Sequence, residues 1–513
     1  MKKGKLFKTR ISYRLITECE RVVEMKTQTM SASIDAYRER VVNGPVGKTL
    51  LWLGLPLMIV QIVNISYNFA DTYWLSMYSK IAYAAPRQIW PFFMFLNAVT
   101  QALSSANLAL ISQAIGGKDY DYARKVVSYY VSTLLILNTG VALLFLLLGP
   151  FVFKYVMGVP EDLYEYVVTY ARIISLDLLL SGLYIGYSTI FQAIGDTRTP
   201  SRAGIVSSLT NIVLDPLFIF GVRLNGATII PEMGVAGAAW ATVISRFAGF
   251  IVVLLILQKK YPFLIVKPSL RIERDWIVKS LKIGIPVALM MMSNSLAFMF
   301  QHRLINHYGA HVAAAAAIGF LLMDLADAAL WGFTASVATM IGQAIGAGLE
   351  KRARSVAVKA MIYIGLASFT GSIIVYFTRS FFIDLFTDVP EIYREADLFV
   401  QWFAPTLAGF AVFFIGMSVG RGSGHTLYPT IVGIIRLWGI RIGLGYLVSL
   451  GLGWGTTGIW MTMSLSNLVA GLMIIPWILR GNWVKGVVKK RIEVDQKPTV
   501  STPLRLQRSS SPR

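Results

Sequence analysis

Thr210-Asn211-Ile212-Val213-Leu214-Asp215-Pro216-Leu217-Phe218 lies inside an apolar run from about 203 to 221. A helix of that length reaches across the hydrocarbon core of a bilayer. Within the run stand a carboxylate, an asparagine four residues before it and a proline directly after it. Asn211 and Asp215 therefore share one helix face. An ionised side chain at membrane depth is costly, so acids there line a cavity or an ion path, or pair with an arginine for packing. Pro216 lacks a backbone donor and frees a carbonyl one turn earlier, which predicts a bend where the charge sits.

The surrounding chain makes the membrane reading firm. Of 513 residues, 55% are hydrophobic and only 15% charged, with a mean hydropathy of +0.60. A soluble protein of this size carries about 25% charged residues. Apolar runs of roughly 20 residues, each able to span a bilayer, recur about twelve times. The fold class is thus an all-α polytopic membrane protein with about twelve transmembrane helices.

The net charge of +21 does not point to nucleic acid. Lysines and arginines gather at 118–125, 198–202, 259–282, 351–359 and 480–491, after every second span, while loops near 76–87, 150–162, 222–233 and 307–313 are poor in them. This is the positive-inside pattern, and it predicts that both termini are cytoplasmic in a multi-pass protein of the cell membrane. Charge in the tails meets anionic lipid headgroups most simply. Cys19 is the sole cysteine, so an intramolecular disulfide and an all-cysteine metal cage are excluded. His302, His307, His311 and His425 lack metal-motif spacing and read as interfacial polar residues. Residues 1–45 form a basic extension without the apolar core of an ordinary signal peptide, with Met25 and Met30 as alternative starts. Residues 481–513 read as a basic, disordered cytoplasmic tail.

In the first span, about 50–75, Gln61, Asn64, Asn68 and Asp71 are spaced three, four and three apart. That spacing stacks them on one face, suited either to a cavity wall or to hydrogen bonds between helices. Asp71 stands near the outer end, where solvent is a further possible neighbour. The fourth span, about 163–192, carries Tyr170 and Asp177 on one face and Arg172 beside them; the sixth, about 234–258, carries Thr242, Ser245 and Arg246.

A charged linker of 259–282 divides the chain, and the second half repeats the first. Leu55-Pro56 recurs as Ile285-Pro286, 230 residues on; Ile111-Ser112-Gln113-Ala114-Ile115-Gly116 recurs as Ile341-Gly342-Gln343-Ala344-Ile345-Gly346 at the same offset. Gly195 to Pro200 is answered by Gly424 to Pro429, 229 residues on. Six spans and a linker duplicated in one orientation predict two pseudo-symmetric six-helix lobes, 46–258 and 283–480, related by an axis along the membrane normal. The repeat also exposes a difference: Asp71 corresponds to Gln301, and Asp215 falls near Leu444 in a span carrying Arg436 and Arg441. Asp324 and Asp327 have no acidic counterparts in the first half. Ion binding is therefore expected in the N-terminal lobe.

Leu55-Pro56 with Asp71, Gln113-Ala-Ile-Gly-Gly117, Gly195-Asp-Thr-Arg-Thr-Pro200, Asn211-Ile-Val-Leu-Asp215-Pro216 and Gly234-Val-Ala-Gly237-Ala-Ala-Trp-Ala-Thr242 together resemble the multidrug and toxic compound extrusion transporters of the multidrug/oligosaccharidyl-lipid/polysaccharide flippase superfamily. The resemblance covers about 45–480. It implies a secondary active antiporter that exports amphipathic or cationic organic compounds against inward H+ or Na+, working as a monomer without a resident cofactor. In the branch with N-lobe carboxylates it assigns ion coupling to Asp71, Asp215, Asn211, Tyr170 and Thr242, with Na+ at Asp71, Asn211, Asp215 and Thr242 as one option. Gln61, Asn64, Asn68, Asp177 and Arg246 become candidate cavity residues. The branch with an acid in the seventh span fits less well, because Asn294 holds that place, and Arg246 departs from the pattern.

No Walker loop is present, so direct ATP coupling is not expected, nor is enzyme chemistry. A lipid or lipid-linked oligosaccharide flippase of the same superfamily is the alternative, favoured by Arg172, Arg246, Arg436 and Arg441. A membrane scaffold or receptor would not need the acid pair.

Overall fold

A computed structural model of the chain describes residues 34–488 except 80, 225, 226, 267 and 270. Cys19, Met25, Met30 and the tail beyond 488 lie outside the described residues. Twelve helices are long and apolar enough to cross a membrane: α1 (Val46–Tyr78), α2 (Ala85–Gly116), α3 (Tyr120–Val156), α4 (Glu161–Ile194), α5 (Arg198–Ile219), α6 (Val235–Lys260), α7 (Arg274–Asn306), α8 (Ala310–Gly346), α9 (Glu350–Asp384), α10 (Pro390–Ser423), α11 (Leu427–Gly451) and α12 (Gly455–Arg480). A short antiparallel hairpin, β1 (Val222–Leu224) and β2 (Ala227–Ile230), lies between α5 and α6.

Local chemistry sets the breaks. Gly195 and Gly424 end α4 and the last segment of α10 with φ of 100° and 81°, a left-handed backbone that glycine adopts without strain. Each thereby allows an abrupt turn into α5 or α11. In α10 a short 3-10 segment, Ala404–Thr406, interrupts the helix around Pro405, which cannot donate to the preceding turn. α5 continues through Pro216 and stops at Ile219, so the bend expected there is a helix end close beyond the proline.

The linker is shorter than its charge pattern suggests, since α7 already begins at Arg274 rather than near 283. Trp276 is buried, and Lys279 pairs with Asp275 at 2.6 Å one turn away. The charges lie on the outer face of a helix that projects beyond its apolar stretch.

α1–α6 and α7–α12 form two lobes. α1 packs on α8, and α2 packs on both α7 and α8. The lobes come closest at the end of the bundle shared by the described chain ends. Here α2 and α8 cross backbone on backbone: a Cβ at Gly116 would stand 2.1 Å from the Gln343 carbonyl oxygen, and one at Gly346 1.9 Å from that of Gln113.

The repeated glutamines use this proximity reciprocally. Gln113 Nε2 donates to the carbonyls of Gly422 (3.3 Å) and Ser423 (3.1 Å) at the end of α10. Gln343 Nε2 donates to those of Ala193 (2.8 Å) and Ile194 (2.9 Å) at the end of α4. Helix ends leave carbonyls without intrahelical partners, and each lobe satisfies those of the other.

Flanking segments brace the same end. Gln113 Oε1 accepts from the backbone of Val487 and Val488. Residues 34–43 are helical; Arg38 Nε donates to the Gly116 carbonyl at 2.8 Å, Ile34 is buried in the N-lobe core and Val41 in the C-lobe core. Among the described residues, the side-chain hydrogen bonds that join the two lobes lie toward this end.

Gly116→Ala and Gly346→Ala are therefore expected to destabilise the protein by about 1–3 kcal/mol, as overpacking does. The readout is a lowered Tm in detergent, with Gly140→Ala, mid-helix and with nothing within 4 Å, as a control that should hold or raise Tm.

Candidate functional site

Four helices distant in sequence, α1, α4, α5 and α6, converge inside the N-lobe. Gly237, whose position against Phe218 leaves no room for a Cβ, lets α6 pack closely on α5. This places Thr242 beside Asn211, whose Nδ2 lies 3.4 Å from Thr242 Oγ1 and 3.3 Å from Asp215 Oδ1. Thr242 itself donates to the Ala238 carbonyl at 3.1 Å. From α4, the Tyr170 hydroxyl interacts with Thr242 and senses both Asp71 and Asp215. Asp71 of α1 and Asp215 lie near enough for the charge of one to act on the other. Asp71 is 7% exposed and Asp215 fully buried, so neither is a solvent-facing acid. The structure thus brings together Asp71, Tyr170, Asn211, Asp215 and Thr242.

Tyr67 joins them, interacting with Asp71 and Thr242. It lies four residues before Asp71, one turn away on the same face, and this spacing was the signal that could have found it. Asn68, in the expected stripe, is exposed instead. Gln61 and Asn64 form a separate layer: Asn64 Nδ2 donates to Gln61 Oε1 at 3.2 Å, and Ser208 of α5 donates to Asn64 Oδ1 at 3.1 Å.

Three buried oxygens of the cluster have no partner among the described residues: Asp71 Oδ1, Asn211 Oδ1 and Asp215 Oδ2. Burying unpaired polar atoms is costly, and burying adjacent carboxylates more so, unless a proton or a cation joins them. Oxygen-only donors of this kind suit a proton or a hard cation. Among the described residues no three His, Cys, Asp or Glu side chains converge as a metal cage would need. His302, His307 and His311 are exposed.

Arg246 is accounted for by a different carboxylate. Its Nε donates to Asp177 Oδ1 at 3.2 Å, and its guanidinium lies 5.9 Å from the centre of the Tyr184 ring. Asp177, 3% exposed, therefore compensates Arg246 and leaves the Asp71–Asp215 pair without a bonded cation. Arg172 is exposed. In the C-lobe the repeat carries no such acid pair: Gln301, at the place of Asp71, donates to the sulfur of Met463 at 2.8 Å, and Leu444, at the place of Asp215, is exposed.

Twelve apolar helices in two repeated lobes, with the unpartnered acids Asp71 and Asp215 clustered in the N-lobe and a separate one, Asp327, in the C-lobe, define a multi-pass membrane protein built like a two-lobe transporter. The MatE family model matches residues 56–217 and again 286–447, two copies set apart by the same 230 residues as the internal repeat. The chain belongs to the MatE family of membrane transporters. It is 26% identical over 456 residues to "Probable multidrug resistance protein YoeA" of Bacillus subtilis (strain 168), covering 86% of this chain and 96% of the relative. It is 25% identical over 457 residues to "Probable multidrug resistance protein NorM" of Thermotoga maritima, covering 88% and 96%. A solved structure described as "Crystal structure of MATE in the bent conformation" superposes with a TM-score of 0.79 at 23% identity, covering 87% of this chain and 98% of that one.

Breaking the Asp177–Arg246 pair strands a charge. Asp177→Ala is expected to cost the low end of about 3–5 kcal/mol, because the Arg246 side chain keeps 26% exposure. A thermal melt should register this as a clear drop in Tm, whereas Arg172→Ala should leave it unchanged.

Proposed function

We propose that the chain is a secondary active antiporter of the cell membrane, exporting amphipathic organic compounds in exchange for inward H+ or Na+. The observation that carries this reading is the set of three buried, unpartnered oxygens on Asp71, Asn211 and Asp215. Two neighbouring carboxylates repel when both are ionised, and a proton or Na+ relieves that repulsion. Asp71 and Asp215 bind the coupling ion, Asn211 and Thr242 orient around it, and Tyr170 closes the site from α4. The names of the relatives support drug-like cargo, and the likeness of two lobes supports rocking of one against the other.

The ion acts through α1 and α5, the two helices that carry the acids. α1 is also a principal N-lobe contact of α8. A change in the packing of α1 therefore reaches the seam between the lobes. With the termini cytoplasmic, as the positive-inside pattern predicts, the glutamine-capped end is the cytoplasmic one and the present arrangement is closed on that side. States differing by a few kcal/mol suffice for one bound ion to bias the balance. Membrane lipids surround a protein that acts as a monomer on small-molecule substrates. A lipid or lipid-linked oligosaccharide flippase is the second reading, supported by the buried Arg436 and Arg441 of the C-lobe.

Proteoliposome efflux under separately imposed proton and sodium gradients tests the proposal. Asp215→Asn should reduce ion-driven efflux roughly tenfold or more while the protein inserts and melts normally; wild-type efflux from this variant would refute the assignment.

Asp324→Asn and Asp327→Asn are expected to leave the ion requirement intact. A shift as large as that caused by Asp71→Asn would move the ion site to the C-lobe.

A further inference from the structure

A cavity of about 650 Å³ lies in the C-lobe between α7, α8, α10 and α11, with α2 of the N-lobe forming part of its wall, within the size range of small-molecule sites. Met94, Met290, Met291, Met299 and Met417 line it, together with aromatic rings. Methionine side chains are flexible and polarisable, and they conform to apolar bodies of varied shape.

The inner end of the cavity is cationic. Arg421 and Arg436 both line it, and the Nε of each is buried with no partner among the described residues. Arg421 sits 5.7 Å from the Trp331 ring centre, and Arg436 5.1 Å from that of Phe413. Arg436 Nη1 and Arg441 Nη2 share a single neutral acceptor, Asn467 Oδ1, each at 3.2 Å. No ion pair among the described residues involves Arg421, Arg436, Arg441, Asp324 or Asp327. Asp324 also lines the cavity, but seven residues, about 10 Å of helix, separate it from Trp331, toward the opposite mouth. Asp327 of α8 lies near enough for its charge to act on Arg436 and Arg441 without bonding to either, whereas no acid among the described residues acts on Arg421. A buried guanidinium with no bonded anion is incompletely compensated, and its planar donors match a carboxylate or phosphate.

We propose that the C-lobe cavity binds the acidic group, carboxylate or phosphate, of an amphipathic organic anion, with Arg421 and Arg436 holding the head and the methionine wall holding the apolar body. This rests on the transport reading and narrows its substrate class. The lobes then divide the work by charge: acids of the N-lobe take the cation, arginines of the C-lobe take the cargo.

The test uses two fluorescent ligands with one naphthalene body and opposite charge, dansylglycine (carboxylate) and dansylcadaverine (ammonium), titrated into the full chain in phosphatidylcholine nanodiscs. Wild type should bind dansylglycine about tenfold tighter or more, and octanoate should displace it while octylamine does not. Arg421→Gln should remove that preference, and Arg436→Gln gives an independent second reading. Equal or stronger binding of dansylcadaverine by wild type overturns the proposal, as does a preference untouched by either folded variant. If both variants fail to fold, the wild-type preference and the octanoate competition decide the matter.

Phosphatidylglycerol nanodiscs separate the sources of the acidic group. Loss of dansylglycine binding there assigns the site to lipid headgroups, retention assigns it to soluble acids, and either result upholds the anion site. If wild type prefers the anion yet shows no ion-driven efflux, the transport reading fails and the binding site stands.

Discussion

The structure depends on one close contact: two helix backbones, α2 and α8, touching at Gly116 and Gly346 with no side chain between them. In an apolar bundle the exposed carbonyls of helix ends need donors. Gln113 and Gln343 supply them across the seam, each to the other lobe. The lobes are thereby locked at one end, with the segment 34–43 and residues Val487 and Val488 braced over the lock. The same pair of contacts, made twice by a duplicated motif, is what a rocking motion would have to break.

Away from the lock the two lobes diverge chemically although their helices correspond. The N-lobe pairs Arg246 with Asp177 and leaves Asp71 and Asp215 within electrostatic reach of each other, with no cation bonded to either among the described residues. The C-lobe replaces Asp71 with Gln301 and concentrates arginines on α11. There the helix is wound in π form over Ile435–Leu444, with hydrogen bonds from i to i+5. In an α-helix Arg436 and Arg441 would point about 140° apart. The wider winding brings both to Asn467. The two halves share a frame but bury different charges: Asp71 and Asp215 in one, Arg436 and Arg441 beside Asp327 in the other.

Much of this was legible in the residues themselves. Hydropathy marks the twelve spans because water is absent from the bilayer and each backbone must satisfy itself as a helix. The 230-residue offset reveals the two lobes, because similar turns such as Gly195–Pro200 and Gly424–Pro429, which share Gly, Thr and Pro in register, solve the same local problem. Asn211 and Asp215 stand out because a carboxylate in an apolar run has no inexpensive explanation. What helical periodicity does not determine is the rotation of each helix about its axis. The stripe on α1 therefore passed over Tyr67, which joins the buried cluster, while its neighbour Asn68 is exposed. The partner of Arg246 was equally hidden, because Asp177 lies 69 residues away and only the packing of α4 on α6 joins them. The two glutamines could be seen to repeat, but not to hold the other lobe's helix ends. Which buried charges are paired and which are left free is decided by contacts between helices, and those exist only in the folded bundle.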